Sequence, residues 1–278
     1  MDNIKFYMEN IVDELRENHK DLEFEGIVVV KNNNTKLHGI VIREYGNNVA
    51  PTIYVEQYYH KNVPVSNAAV DIYEVYMAHR VDNLDMGFFA EYENIKGKLK
   101  AKLVNASNKD VAGISAERYG YDDLKIVPYV FIDEMNGSVT VLPKHLDVWG
   151  VDIETVVEQA LENIKDDIKI VTMGHFVGKQ MGAPDEVIEE MMPGISDFLV
   201  VSNSKYLNGA IAAIVASDLI KEKMNGDYVV IPSSIHEIIV VNKELKASND
   251  LVNMVKEVNA SCVEPADRLS DKVYEIAA

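Results

Sequence analysis

The residues Pro232-Ser-Ser-Ile-His-Glu237 bring together the side-chain types that hydrolytic chemistry uses. A serine hydroxyl becomes a nucleophile when a histidine takes its proton, and a carboxylate can hold that histidine in place. Ser233 or Ser234 would be the nucleophile, His236 the base and Glu237 the orienting group. The spacing works against the simplest version of this scheme. In an extended chain Ser234 and His236 share one face, while Ser233, Ile235 and Glu237 share the other. Glu237 then reaches His236 only if the backbone bends, and otherwise a third member must come from elsewhere. The plainer expectation is a structural corner. Pro232 has no N–H for a ladder and ends the strand before it. The serine hydroxyls can satisfy backbone groups that the turn leaves free, Ile235 can enter the core, and His236 can give one ring nitrogen to a carbonyl or carboxylate.

Other candidate motifs are weaker. Gly174-His-Phe-Val-Gly178-Lys179 has three residues between its glycines and Gln180 after the lysine. A phosphate-binding loop needs four, with Ser or Thr following. The seven histidines, His19, His38, His60, His79, His145, His175 and His236, are far apart, and none pairs at helical i, i+4 spacing. His236-Glu237 opens like a zincin motif but lacks the second histidine. No Gly-x-Ser-x-Gly elbow occurs. Cys262 has no basic neighbour in sequence to activate it, so a packed thiol is expected. No metal and no cofactor is expected.

The elements that would position these groups follow from hydrophobic spacing. Ile4, Met8, Ile11 and Leu15 line one face of a helix. Strands are expected over Gly26–Lys31 and Leu37–Glu44, joined by Asn32-Asn33-Asn34-Thr35, with a third at Ile53–Val55. Ser66 is placed to cap the next helix, whose apolar positions are Ala69, Val70, Tyr73, Tyr76 and Met77. Residues 86–104 fit two periods. Ile95 to Leu103 alternates with lysines, whereas Phe88, Tyr92, Ile95, Leu99 and Leu103 fit a helix over a longer window, and the longer match predicts helix. The lysines form a basic strip, expected to be a solvated face. A hairpin is expected from Leu124–Ile132 and Ser138–Leu142 around Asn136-Gly137. Asp152 caps an amphipathic helix through Ile164, and a short helix is expected over Asp185–Met192. Phe198–Ser202, Tyr228–Ile231 and Glu237–Val241 read as strands, Gly209–Ile214 as buried and Ser217–Met224 as helix. Ser248 caps a last helix carrying Leu251, Val252, Met254, Val255 and Val258.

Strand pairs bracketed by helices, without regular βαβ spacing, predict an α+β fold with mixed or mainly antiparallel sheets. Soft boundaries are expected to give units 1–108, 109–182 and 183–278. The chain has 278 residues, 47% hydrophobic and 26% charged, with a net charge of −18. Its longest apolar run, Ala210–Ala216, is far shorter than the ~20 residues that span a bilayer. No leader is expected from the polar start, and one cysteine excludes an intrachain disulfide. A cytoplasmic protein is expected. The acidity argues against direct nucleic-acid or membrane binding.

The chain resembles a bacterial family of unknown function found in gut anaerobes and their phages and conjugative elements. The resemblance rests on Asn203, Gly209-Ala210, Asp227-Tyr-Val-Val-Ile-Pro-Ser-Ser-Ile-His-Glu237, Met254-Val-Lys-Glu-Val-Asn259 and Leu269-Ser-Asp-Lys-Val-Tyr274. Pro51-Thr-Ile-Tyr-Val55, Tyr58-Tyr59 and His145-Leu-Asp-Val-Trp-Gly150 extend it over most of the chain. Val201-Ser202-Asn203 departs from the family's usual Leu-Thr-Asn, and Ile214-Val215 stand where it tends to carry an aromatic residue. The resemblance implies a role in conflict between mobile element and host, but no activity. Two functional readings follow. The first is a non-catalytic factor that binds a protein partner. The alternative is a hydrolase using Ser233 or Ser234 with His236. The sequence leaves the oligomeric state open.

Overall fold

The computed structural model of the protein describes residues 3–80, 87–108, 111–133, 137–184, 187–188, 198–246 and 250–277. The chain divides into two compact units, Met1–Gly87 and Phe88–Ala278. Each has its own apolar core. The breaks expected near 108 and 182 fall inside the second unit.

In the first unit, α1 (Asn3–Asn18) buries Met8, Ile11, Val12 and Leu15, the face that its spacing marks. β1 (Leu22–Val30) pairs antiparallel with β2 (Lys36–Glu44), and β3 (Thr52–Tyr54) joins β2 through Ile40↔Ile53. The asparagine turn between β1 and β2 holds Asn33 and Asn34 at φ 58° and 57°, the left-handed region that asparagine tolerates. After α2 (Glu56–His60), α3 (Val65–His79) buries Ala68, Ala69, Ile72 and Tyr76. Two expectations are corrected here. Ser66 is not the cap, because the helix begins at Val65 after Pro64, whose carbonyl accepts the Ala68 N–H. Val70 and Met77 are 57% and 47% exposed, since the buried stripe runs through Ile72 instead.

Early in the second unit, after a 3-10 turn at Gly87–Ala90, α4 (Tyr92–Ile95) and a second 3-10 turn at Lys96–Lys98 lead into β4 (Leu99–Asn105). The helix expected across 86–104 is thus replaced by short turns and a strand. Leu99, Ala101 and Leu103 are buried and Lys100 and Lys102 half-buried, so the two-residue period prevails. Gly97 in the turn weakens the competing helix. The lysines of the strip are not simply solvated: Lys98 places its ammonium group 5.7 Å from the centre of the Phe88 ring, and Lys100 lies 5.1 Å from that of Phe131.

β5 (Ile114–Ser115) precedes β6 (Leu124–Ile132), the central strand of a four-stranded antiparallel sheet. β6 pairs with β4 on one side, and with β5 and β7 (Gly137–Thr140) on the other. The expected hairpin is therefore present, although Asn136 lies outside the described residues. α5 (Pro143–Trp149) follows, and then α6 (Ile153–Asn163), whose N-terminus is capped by Asp152 accepting the Thr155 N–H at 2.7 Å.

A five-stranded antiparallel sheet completes the unit in the order β12-β10-β11-β9-β8. Its strands are β8 (Ile168–Thr172), β9 (Phe198–Asn203), β10 (Tyr228–Ile231), β11 (Ile238–Asn242) and β12 (Tyr274–Ile276). The helices described between them in sequence include α7 (Met173–Gln180), α8 (Ala212–Val215), α9 (Ser217–Met224) and α10 (Asp250–Ser261). Of the helix expected over Asp185–Met192 only Val187 and Ile188 are described, and Ser248 lies outside the described residues. The register of β10, β11 and β9 puts Tyr228, Val230, Ile238, Val240, Leu199 and Val201 on one face. That face enters a core shared with the four-stranded sheet. The opposite face is also apolar, carrying Phe198, Val200, Val229, Ile231, Ile239 and Val241. Both sheets are antiparallel and the helices are interspersed, so the fold is α+β.

Candidate functional site

The segment 232–237 closes the β10–β11 hairpin. Pro232 ends β10, and the Ser234 N–H donates to the Glu237 carbonyl at 3.1 Å. Both serine hydroxyls donate to the same carboxylate oxygen, Glu237 Oε1, Ser233 at 3.1 Å and Ser234 at 2.8 Å. Ser234 Oγ also accepts the His236 N–H at 2.9 Å. Ile235 is buried; its N–H donates to the Asp267 carbonyl at 2.8 Å and its carbonyl accepts the Ala210 N–H at 3.2 Å. The backbone does bend, and it turns Glu237 toward the serines rather than toward His236.

His236 is held by other residues. Its Nδ1 accepts the Asn208 N–H at 3.2 Å, and Nε2 lies 3.6 Å from Asp267 Oδ1. The Asn208 contact leaves the neutral ring with its proton on Nε2, facing the carboxylate. Hydrogen bonding to Asp267 raises the pKa of His236 above the usual histidine value; burial opposes the rise, and the charges of Asp267 and Glu237 add to it. Asp267 therefore takes the orienting place considered for Glu237. No spacing in the sequence signals it, because the contact crosses between separate loops.

The loop after β9 is shaped around this corner. Asn203 Oδ1 accepts the N–H groups of Lys205 and Leu207, and Nδ2 donates to the Leu207 carbonyl. Asn208 follows at φ 54°. At Gly209 a Cβ would stand 2.2 Å from Ser202 Oγ and 2.6 Å from the His236 carbonyl oxygen, so only glycine fits. Ser202 Oγ itself donates to that carbonyl at 2.7 Å. Leu269–Tyr274 is a second clamp. Ser270 Oγ and Tyr274 OH both donate to the Asp123 carboxylate, while Asn259 Nδ2 donates to the Ser270 carbonyl and to Asp271 Oδ1.

Chemically, the arrangement joins serine to glutamate and histidine to aspartate. A nucleophilic serine needs its proton within reach of a base such as histidine. Here both hydroxyl protons point to Glu237, and both ring nitrogens of His236 face other partners. Gly174 and Gly178 lie inside α7, and Gly178 packs against Ile188. Cys262 is exposed rather than packed. Among the described residues no three His, Cys, Asp or Glu side chains gather at metal-binding distance, and no helix is long and apolar enough to cross a membrane.

Beside the corner lies an apolar groove of about 350 Å³. One wall is the outer sheet face at Phe198, Ile231 and Ile239, and the other is α10 at Leu251, Met254 and Val258, with Pro232 and Ser233 at the margin. Val200, Val229 and Val241 on that face are fully covered, whereas Phe198, Ile231 and Ile239 remain half-buried. On α10, Met254 and Val258 are 54% and 42% exposed. The signal in the sequence is the apolar character of β9, β10 and β11 on both faces.

The chain matches the Family of unknown function (DUF5688) over residues 4–276. It belongs to that family. No curated protein and no solved structure matches it.

Proposed function

We propose that the protein is a non-catalytic, cytoplasmic binding factor whose groove between the outer sheet face and α10 takes an apolar segment of a protein partner. The observation that carries this reading is the groove itself. A cavity of this size, walled by aliphatic, Met and Phe side chains and edged by a few polar groups, has the make-up of a binding site. Met173 and Met254 give its lining adaptable surfaces. The net charge of −18 favours a segment with basic flanks and repels nucleic acid. The link to conflict between mobile elements and hosts rests on the resemblance alone.

A display library of random peptides, selected on the folded protein and counter-selected on Met254→Asp, tests this reading. Enrichment of apolar peptides with basic flanks that bind wild type and not the variant is expected. Equal recovery on both proteins contradicts it. The second reading, a hydrolase using Ser233 or Ser234 with His236, draws on the His236–Asp267 pair, which resembles a base with its orienting carboxylate. It requires a serine hydroxyl to leave Glu237 and turn to a ring nitrogen that is already engaged.

A further inference from the structure

The sheet of the Met1–Gly87 unit ends on an unshielded strand. β1 is the outer strand in the order β1-β2-β3 and pairs with β2 without a break from Leu22↔Glu44 to Val30↔Lys36. Edge strands are usually protected by proline, a bulge or an inward charge. The stretch Gly26-Ile-Val-Val-Val30 has none of these.

The bonding of β2 shows which groups of β1 face the open side. The His38 carbonyl accepts the Val55 N–H at 2.9 Å, and the Ile42 N–H donates to the Pro51 carbonyl at 3.1 Å, both on the side away from β1. Leu37, Gly39, Val41 and Arg43 therefore bond to β1, through Val29, Ile27, Glu25 and Glu23. Phe24, Gly26, Val28 and Val30 then turn their backbone groups outward. Consistent with that parity, the Phe24 carbonyl accepts Arg16 Nη2 at 2.7 Å. The outward groups of Gly26, Val28 and Val30 have no partner among the described residues.

The side chains suit a second copy of the same strand. Val28 and Val30 are 44% and 56% exposed, on the face where Phe24 is buried. On that face a Cβ at Gly26 would stand 2.8 Å from Met8 Cε. The strand is thus covered at one end and bare at the other, and an antiparallel copy lays each bare end beside a covered one. A register centred on Ile27 pairs every outward residue from Phe24 to Val30. Gly26 then faces Val28 of the second copy, Phe24 faces Val30, and Ile27 meets its own counterpart on the two-fold axis. The same register sets Glu23 opposite Lys31. Neither has an ion-pair partner among the described residues; the Lys31 ammonium rests 4.8 Å from the centre of the Tyr54 ring. A register centred on Val28 would bring Lys31 to Glu25 instead, which Arg43 already holds at 2.6 Å.

We infer that the protein forms a two-fold homodimer by pairing β1 with β1 of a second copy, which makes one six-stranded antiparallel sheet. The net charge of −18 on each copy opposes association, but at about 0.15 M salt that repulsion is screened beyond about 8 Å. The inference does not depend on the groove beside 232–237.

Sedimentation velocity on the full chain, at about 0.15 M salt, tests it. Wild type is expected to be dimeric at about 100 µM. Ile27→Lys, which would face its own copy on the axis, is expected to be monomeric there with an unchanged circular dichroism spectrum. Glu23→Lys and Lys31→Glu each replace two opposite-charge contacts with two like-charge ones, so each should self-associate about tenfold more weakly or worse. Mixing these two variants restores both contacts in the mixed pair, and association at wild-type strength is expected. The inference is overturned if wild type stays monomeric at about 100 µM, which would leave the edge to an extended segment of another protein. It is equally overturned if folded Ile27→Lys or either charge variant dimerises as wild type does, or if the mixture associates no better than its components.

Discussion

Replacing Ser234 with alanine removes a side chain that links the corner in two directions. Its hydroxyl donates to Glu237 Oε1 at 2.8 Å and accepts the His236 N–H at 2.9 Å, at a position only 6% exposed. A hydrogen bond to a charged partner contributes about 1.5–3 kcal/mol and a neutral one about 0.5–1.5 kcal/mol. Ser233 still donates to Glu237 Oε1 in the variant, so the carboxylate keeps a partner and the first figure falls at its low end. The His236 N–H is left without its acceptor. The expected loss for Ser234→Ala is therefore about 2–3 kcal/mol. Ser233→Ala removes one bond from a half-buried residue, and its expected loss is about 1 kcal/mol. Urea unfolding monitored by tryptophan fluorescence reads both. The chain has a single tryptophan, Trp149, which is 8% exposed and donates to the Phe89 carbonyl at 2.7 Å within the same unit as the corner. A wild-type midpoint with unchanged slope for Ser234→Ala would refute the hydrogen-bonded corner.

Gly209→Ala should destabilise the same unit by about 1–3 kcal/mol through overpacking against Ser202 and the His236 carbonyl, read by the same fluorescence transition. Asp267→Asn should lower the pKa of His236 in an NMR titration, because burial then opposes the charged ring with only Glu237 on the other side. The wild-type pKa lies above the unfolded value, so the pair's contribution to stability is fully present below about pH 6.5 and is lost as pH rises through the folded value. Asp267→Asn should flatten that dependence, and an unchanged profile would count against the pair. Tyr274→Phe should cost about 1.5–3 kcal/mol by removing its bond to Asp123, measured by thermal unfolding.

Much of the hairpin that carries the corner is legible in the sequence, because Tyr228–Ile231 and Ile238–Asn242 are apolar runs bounded by Pro232. Such strands pair predictably wherever one face is buried, because a one-residue slip would turn that apolar set out of the core. The β4 region is the counterexample. Its residues satisfy both periods, and the strand wins through pairing with β6, a tertiary contact that no local window contains. The exposed places of Val70 and Met77 have a similar origin, because helical spacing defines a stripe only to within a rotation. Within the site, Ser233, Ser234, His236 and Glu237 are all drawn into one corner, but their pairing is not what chain spacing suggests. Asp267 and Asn208 reach His236 from loops remote in sequence, and only the folded backbone brings them there.

Reaction of the folded protein with a fluorophosphonate serine probe bears most directly on whether the corner is structural or catalytic. With both hydroxyls donating to Glu237 and His236 engaged by Asn208 and Asp267, no labelling of Ser233 or Ser234 that depends on His236 is expected. Stoichiometric labelling of either serine, abolished by His236→Ala in a variant that remains folded, would contradict the structural assignment and place the hydrolase reading first.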